Sequence, residues 1–280
     1  MLFADVALAL RIDTATARLS RAIAVALPVS ADGPPAFATP LGSGFAVFGK
    51  AGSPINKVIG AGIDAVVTAD ELAPIEEAFR IRGEGVRVEL STLAKVEVGE
   101  LLTARGYRLQ GFENVLGLDL RATPAPPERA GSVVVERVAD GAMSPWLDVL
   151  VDGFIQPDDS GVPAETFPRS ILEDVTRDFA RSPEIRRYIA RIDGAPAGSA
   201  SMRFDEGVAE MCGAATRPSL RRRGVQQALF QQRIDEARAA GCDIAVVTTS
   251  PGSQSQANAE RRGFRLLYAR AVLVRAATPD

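Results

Sequence analysis

Three prolines within four positions, Pro124, Pro126 and Pro127, interrupt the chain near its middle. Proline fixes φ and donates no backbone hydrogen bond, so neither helix nor sheet ladder runs through RATPAPPERAG at 121–131. A chain of 280 residues interrupted there is expected to fold as two halves, each long enough to bury its own core without disulfides or metal. The expected layout is a first domain at 1–121, a Pro-rich linker at 122–131 and a second domain at 132–280. With 46% apolar and 24% charged residues and a net charge of −3, the chain has the composition of a soluble globular protein.

Partners and location follow from charge and hydropathy. Before residue 124 there are 12 basic against 14 acidic residues, and after it 20 against 21. Neither half is basic, so a nucleic-acid partner is not expected. The apolar run at 6–10 is preceded by Asp5 and closed by Arg11 and Asp13. It reads as part of an amphipathic helix at 3–23 rather than as a secretory leader. No window offers the ~18 uncharged apolar residues of a membrane span, so no membrane partner is expected. Cys212 and Cys242 stand 30 residues apart and match neither a ligand pattern nor a disulfide framework, which predicts a reducing, cytoplasmic setting. Oligomeric state is not legible.

Beyond the linker the periodicities alternate. Strands are predicted at 133–138, 185–192, 197–204, 208–216, 243–249 and 264–275, and helices at 144–154, 165–181, 223–240 and 253–262. The order β-α-α-β-β-β-α-β-α-β predicts an α+β fold around a mixed α/β sheet. The first half echoes its end. Ala104-Arg-Gly-Tyr-Arg-Leu109 matches Arg261-Arg-Gly-Phe-Arg-Leu266 in four of six positions. Each hexapeptide follows a long helix (69–82; 223–240), an apolar strand (86–90; 243–247) and a short helix. An internal duplication is therefore expected.

The chain contains no histidine. Ser-His-Asp and Cys-His nucleophiles, histidine bases and imidazole zinc sites are excluded, and no metal site is expected. The segment that points to a ligand is Ala214-Ala-Thr-Arg-Pro-Ser-Leu-Arg-Arg-Arg-Gly-Val-Gln226. It places a strand, a basic glycine turn and a helix start in succession. The first turn of a helix leaves N–H groups without partners, so this arrangement suits a diphosphate. It is not a Walker A loop, for it lacks the second Gly, the Lys and the Ser/Thr. The first half has only Val67-Thr-Ala-Asp-Glu-Leu72 at the corresponding helix start.

Residues Arg221, Arg222, Arg223, Gly224, Val225 and Gln226 resemble the Arg/Gln-x-x-Gly-x-Gly/Ala signature of the GNAT superfamily of N-acyltransferases. Pro218, Ala228-Leu229 and Asn258-x-x-Arg-x-Gly-Phe264 fit that pattern as well. Gln226 departs from it, standing where a small residue is usual. The resemblance implies a GNAT fold, in tandem with a degenerate first half, and acetyl-CoA as cosubstrate. It implies that backbone groups of Ala214, Ala215 and Thr216 hold the pantetheine arm. Amides from Arg222 to Gln227 would hold the pyrophosphate, with Asn258 alongside.

The implied activity is acetyl transfer to a primary amine, of a small molecule or a peptide. Direct transfer needs a base, and Glu210, the only carboxylate in 208–216, is the candidate. The family's usual acid, a tyrosine, falls on Ala259. Ser253 and Ser255 are candidates for that role, and Tyr268 another; each also reads as a cap, a surface hydroxyl or a core aromatic. Cys212 shares a strand face with Glu210 and reads either as an acyl carrier or as a buried inert thiol. Asp158 and Asp159 are candidates for holding the amine, or plain turn residues. The alternative reading is a non-catalytic acyl-CoA-binding or sensing module. A third is a turn that holds only nucleotide or inorganic phosphate.

Overall fold

Alternating strands and helices form two units, seen in a computed structural model that describes residues 2–28, 33–122, 132–139, 141–156 and 168–277. The linker prolines and the pair Asp158 and Asp159 lie outside the described residues.

The first compact unit is Phe3–Val115 together with Leu267–Asp280. Its leading helix, α1 (Val6–Ala26), is capped by Asp5, whose carboxylate accepts a hydrogen bond from the Leu8 N–H at 2.8 Å. Strands β1 (Phe37–Leu41), β2 (Gly44–Phe48) and β3 (Lys57–Ile59) then run antiparallel in turn. After helix α2 (Ala69–Arg80), strand β4 (Val86–Ser91) lies parallel to β3, through Val58/Val88 and Ile59/Glu89. Helix α3 (Val96–Ala104) leads into strand β5 (Arg108–Asp119). Apolar residues of α2 and α3, among them Leu72, Phe79 and Leu102, bury against Phe48, Val58 and Val88 of the sheet.

The second compact unit is Leu116–Leu266. Strand β6 (Val133–Arg137) is followed by helices α4 (Met143–Ile155) and α5 (Arg169–Arg181). Strands β7 (Arg186–Ile192), β8 (Ala195–Asp205) and β9 (Val208–Thr216) continue the sheet antiparallel, joined by tight turns at Asp193-Gly194 and Glu206-Gly207 whose residues take positive φ. Helix α6 (Val225–Ala239) crosses over to strand β10 (Ile244–Thr249), parallel to β9, and helix α7 (Gln254–Glu260) precedes strand β11 (Arg265–Arg275). Val225, Leu229, Phe230 and Ile234 of α6 bury against Met202, Met211 and Ala245. On α4, Trp146 is fully buried and its indole N–H donates to the Ala200 carbonyl at 3.0 Å.

The repeated hexapeptide makes the same turn twice. The Tyr107 N–H donates to the Leu102 carbonyl, and the Phe264 N–H to the Ala259 carbonyl. Gly106 and Gly263 take φ of +83° and +87°, the left-handed conformation that ends a helix. Tyr107 then enters the first core and Phe264 the second. Strand β11 divides between the two units, for Arg270–Arg275 pair antiparallel with Ser91–Val86 of β4 in the first unit. The last strand thus returns to the first unit, an arrangement that periodicity alone does not reveal.

Candidate active site

β9 and β10 run side by side only briefly. Their ladder pairs Ile244 with Val208, Ala245 with Ala209 and Val246 with Glu210. Beyond that, β9 continues to Thr216 and β10 to Thr249. The other edge of β9 stays on β8 as far as the Gly198/Thr216 pair. Within that ladder the register slips: Ala200 faces Ala214 while Ser201 faces Cys212, leaving Gly213 as an extra residue at φ +46°. The backbone of Ala214, Ala215 and Thr216 therefore lies past the last β9–β10 pair, where an extended ligand arm has edge groups to bond.

The chain after β9 is built to present a helix start. A short 3-10 turn at Pro218–Leu220 is followed by Arg222 at φ +62° and Gly224 at φ +82°. Gly224 is the N-cap of α6, and no side chain bonds the helix's first amides. The first helical bond of that turn runs from the Ala228 N–H to the Gly224 carbonyl at 3.0 Å, so the amides of Val225, Gln226 and Gln227 precede the ladder. Gly198 brings this end down onto the sheet, for a Cβ there would lie 2.2 Å from the Val225 side chain.

The arginines divide in role. Arg221 donates from Nη2 to the carbonyls of Gly153 and Gln156 at the end of α4. Arg217 lies 3.5 Å from Asp152 on the same helix. Arg222 and Arg223 are exposed beside the N-terminus of α6, with Arg223 4.0 Å from Asp193. Gln226 turns back to the strand, and its amide donates to Thr216 Oγ1 at 2.9 Å. Gln227 is exposed.

Glu210 occupies the last paired position before the strands part, and is 5% exposed. Arg203, its partner across the β8–β9 ladder, reaches it at 3.1 Å and also bonds Glu184 at 2.6 Å and Asp205 at 3.4 Å. Burial works against the Arg203 charge, but these carboxylates outweigh it and hold its pKa above the ordinary value. Cys212 lies two residues on. Burial, reinforced by the Glu210 charge, pushes its thiol up to about 12, so it stays protonated at neutral pH. Sequence reasoning missed Arg203, because only the register of two strands brings it to Glu210. It also missed Arg233, buried on α6, which donates to the Ser201 carbonyl at 3.1 Å.

The alcohols fall in different places. Ser253 is the N-cap of α7 and accepts from the Gln256 N–H at 3.2 Å. Ser255 is exposed on that helix. Asn258 Oδ1 accepts from Gln254 at 3.1 Å and from Arg261 at 2.5 Å, within α7 and its end. Ala259 is fully buried. Tyr268 belongs to the first unit, where its hydroxyl donates to Asp13.

The corresponding helix start in the first unit is closed. Thr68 caps α2, its hydroxyl accepting from the Glu71 N–H, while the Glu71 carboxylate accepts from the Thr68 N–H at 2.8 Å. Asp70 and Glu71 place negative charge in the first turn. The hydrogen bond from the Thr68 backbone, then that from its hydroxyl, holds the Glu71 carboxyl below its ordinary pKa. An anion meets a capped Glu71 amide and like charge there.

The model of the acetyltransferase (GNAT) family matches residues 152–264. Among solved structures, a GCN5-related N-acetyltransferase from Kribbella flavida is 19% identical, with 95% of each chain covered and a TM-score of 0.65. A tandem GNAT protein from the clavulanic acid biosynthesis pathway is 13% identical, covering 95% of this chain and 96% of its own, with a TM-score of 0.59. A GCN5-related N-acetyltransferase from Sphaerobacter thermophilus is 15% identical over 75% of this chain and 66% of its own, at a TM-score of 0.53. No curated protein sequence matches the chain. At these identities the structural likeness establishes the fold. No helix among the described residues is long and apolar enough to cross a membrane.

Proposed function

We propose that residues 152–264, which the GNAT acetyltransferase family model matches, form a GNAT domain, and that the second unit transfers an acetyl group from acetyl-CoA to a primary amine by direct attack. One observation carries the reading: β9 and β10 part after the Glu210/Val246 pair, beside an α6 N-terminus with uncapped amides. Backbone groups of Ala214, Ala215 and Thr216 hold the pantetheine arm along the free edge of β9. The amides of Arg222 to Gln227, with the exposed Arg222 and Arg223, hold the pyrophosphate. Arg221 serves by fixing the loop to α4. Glu210 takes the amine proton, directly or through a water, and Arg203 holds it in place from the facing strand. The first unit binds no CoA, since Thr68, Asp70 and Glu71 close its helix start.

The first experiment is a melting-temperature screen. A bound cosubstrate raises Tm by ligand linkage, so acetyl-CoA and longer acyl-CoAs are compared, followed by thiol release over a panel of amines and peptides. No Tm shift with any acyl-CoA sinks the reading, and a shift with inorganic phosphate or nucleotide alone replaces it with a phosphate-holding turn. The second reading, a binding or sensing module without turnover, is favoured by Gln226 tied to Thr216 and by Ala259 in place of the usual acid. CoA binding with no thiol release for any amine selects it.

A further inference from the structure

The leaving-group side of this site has no assigned residue. Ser253 is spent on a cap, Ser255 is exposed, and Tyr268 is held by Asp13 in the first unit. One hydroxyl is placed differently. Thr249 ends β10, three residues beyond Val246, the last position paired with β9, so it stands where the strands have parted. Side chains alternate along a strand, and Ala245 and Val247 belong to the core beneath α6 with Val225 and Leu229. Thr249 continues that row, on the face where α6 begins. It is 5% exposed, and its Oγ1 has no hydrogen-bond partner. Valine has the same shape without that unmet polar group, so a hydroxyl kept here without a protein partner points to one supplied by a ligand.

We propose that Thr249 Oγ1 donates a hydrogen bond to the sulfur of the bound acyl thioester and stabilises the thiolate as it leaves. The inference rests on the acyl-CoA reading above. The amine nitrogen bonds to the thioester carbonyl carbon, the C–S bond breaks, and the electron pair stays on sulfur. Thr249 keeps its own proton and shares it with that sulfur. The proton lost by nitrogen goes to Glu210 and then to solvent. Thr249 thereby acts as a hydrogen-bond donor aimed at developing charge, where Ala259 offers none.

The test uses CoA itself, so no acceptor need be known. The thiolate absorbance of CoA bound to the full-length protein is titrated with pH for wild type, Thr249→Val and Thr249→Ser. A donor to the thiolate lowers the bound thiol's midpoint; Thr249→Val is expected to raise it by about one pH unit and Thr249→Ser to keep it. Wild-type and Val midpoints that coincide overturn the assignment. Saturable CoA binding with coincident midpoints rejects Thr249 alone, whereas no CoA binding by the wild type rejects the acyl-CoA reading and Thr249 with it. Melting separates this role from a structural one. Losing an unpartnered hydroxyl leaves Tm unchanged or higher, and a fall in Tm for Thr249→Val counts against the proposal. With an accepted amine in hand, Thr249→Val is expected to lower kcat by ~10–100-fold with little change in the KM for acetyl-CoA.

Discussion

Glu210 and Arg203 are seven residues apart in the chain and directly opposite each other in the sheet. That pairing holds the carboxylate at the last position where β9 and β10 are joined. Glu210→Gln keeps the shape and leaves Arg203 with Glu184 and Asp205, so the fold is expected to persist and acetyl-CoA still to raise Tm. Amine-dependent thiol release is expected to fall by ~100-fold or more, the lower end of what a positioned base contributes. An unchanged rate removes Glu210 from the mechanism. Cys212 gives the opposite expectation. Its thiol, pushed up to about 12 by burial and the Glu210 charge, is a poor nucleophile, so Cys212→Ala is expected to leave turnover within about twofold. Complete loss of turnover, with binding retained, brings back an acyl-cysteine route.

Two helix starts with the same place in a strand-helix-strand unit differ in what fills their amides. Thr68→Ala breaks the cap of α2 and is expected to cost about 1 kcal/mol in denaturant unfolding, without changing the CoA-induced Tm shift. Gly224→Ala at φ +82° is expected to cost about 1–2 kcal/mol of backbone strain and to diminish that shift, because the turn presents the amides of α6. If the α2 change weakens CoA binding and the α6 change does not, the assignment of the site to the second unit is wrong. Half of that difference is legible in the sequence. Val67-Thr-Ala-Asp-Glu-Leu72 and the RRRG turn are unlike as text, but the reciprocal bonds of Thr68 and Glu71 appear only once the backbone is folded.

At the scale of the first unit, its final strand is held by buried charge. Asp13 on α1 accepts from the Tyr268 hydroxyl and from Nε and Nη2 of Arg270, and both Asp13 and Arg270 are 1% exposed. Burial depresses the Arg270 charge, yet Asp13, Tyr268 and Glu89 outweigh it and raise its pKa. Asp13→Ala leaves that guanidinium buried without its main partner and is expected to cost about 3–5 kcal/mol, read by equilibrium unfolding. A loss under 1 kcal/mol shows that the network is not what holds the strand. Glu76 supplies a pH dependence. Burial pushes its carboxyl up, but hydrogen bonds from Arg105 and Arg275 prevail and leave the folded pKa below the unfolded value. A depressed acid contributes stability that is present above the unfolded pKa, about 4.3, and lost as pH falls through the folded one. Stability is therefore expected to drop below about pH 4.3, and Glu76→Gln to flatten that drop.

Periodicity and turn residues by themselves determined the element order of the second half, the repeated helix-to-strand turn and the strand, basic turn and helix start of the loop. These are properties of neighbouring residues: side-chain alternation, the conformational freedom of Gly106 and Gly263, and the unfilled amides of a first helical turn. Tertiary structure decided what depends on register and on distant chain. It placed Arg203 on Glu210, tied Arg221 to α4, left Thr249 without a partner at the parted strands, and sent 267–275 back beside β4. None of these is a local property. Each is fixed by which strand lies next to which, and a one-residue change of register would turn every such side chain to the other face.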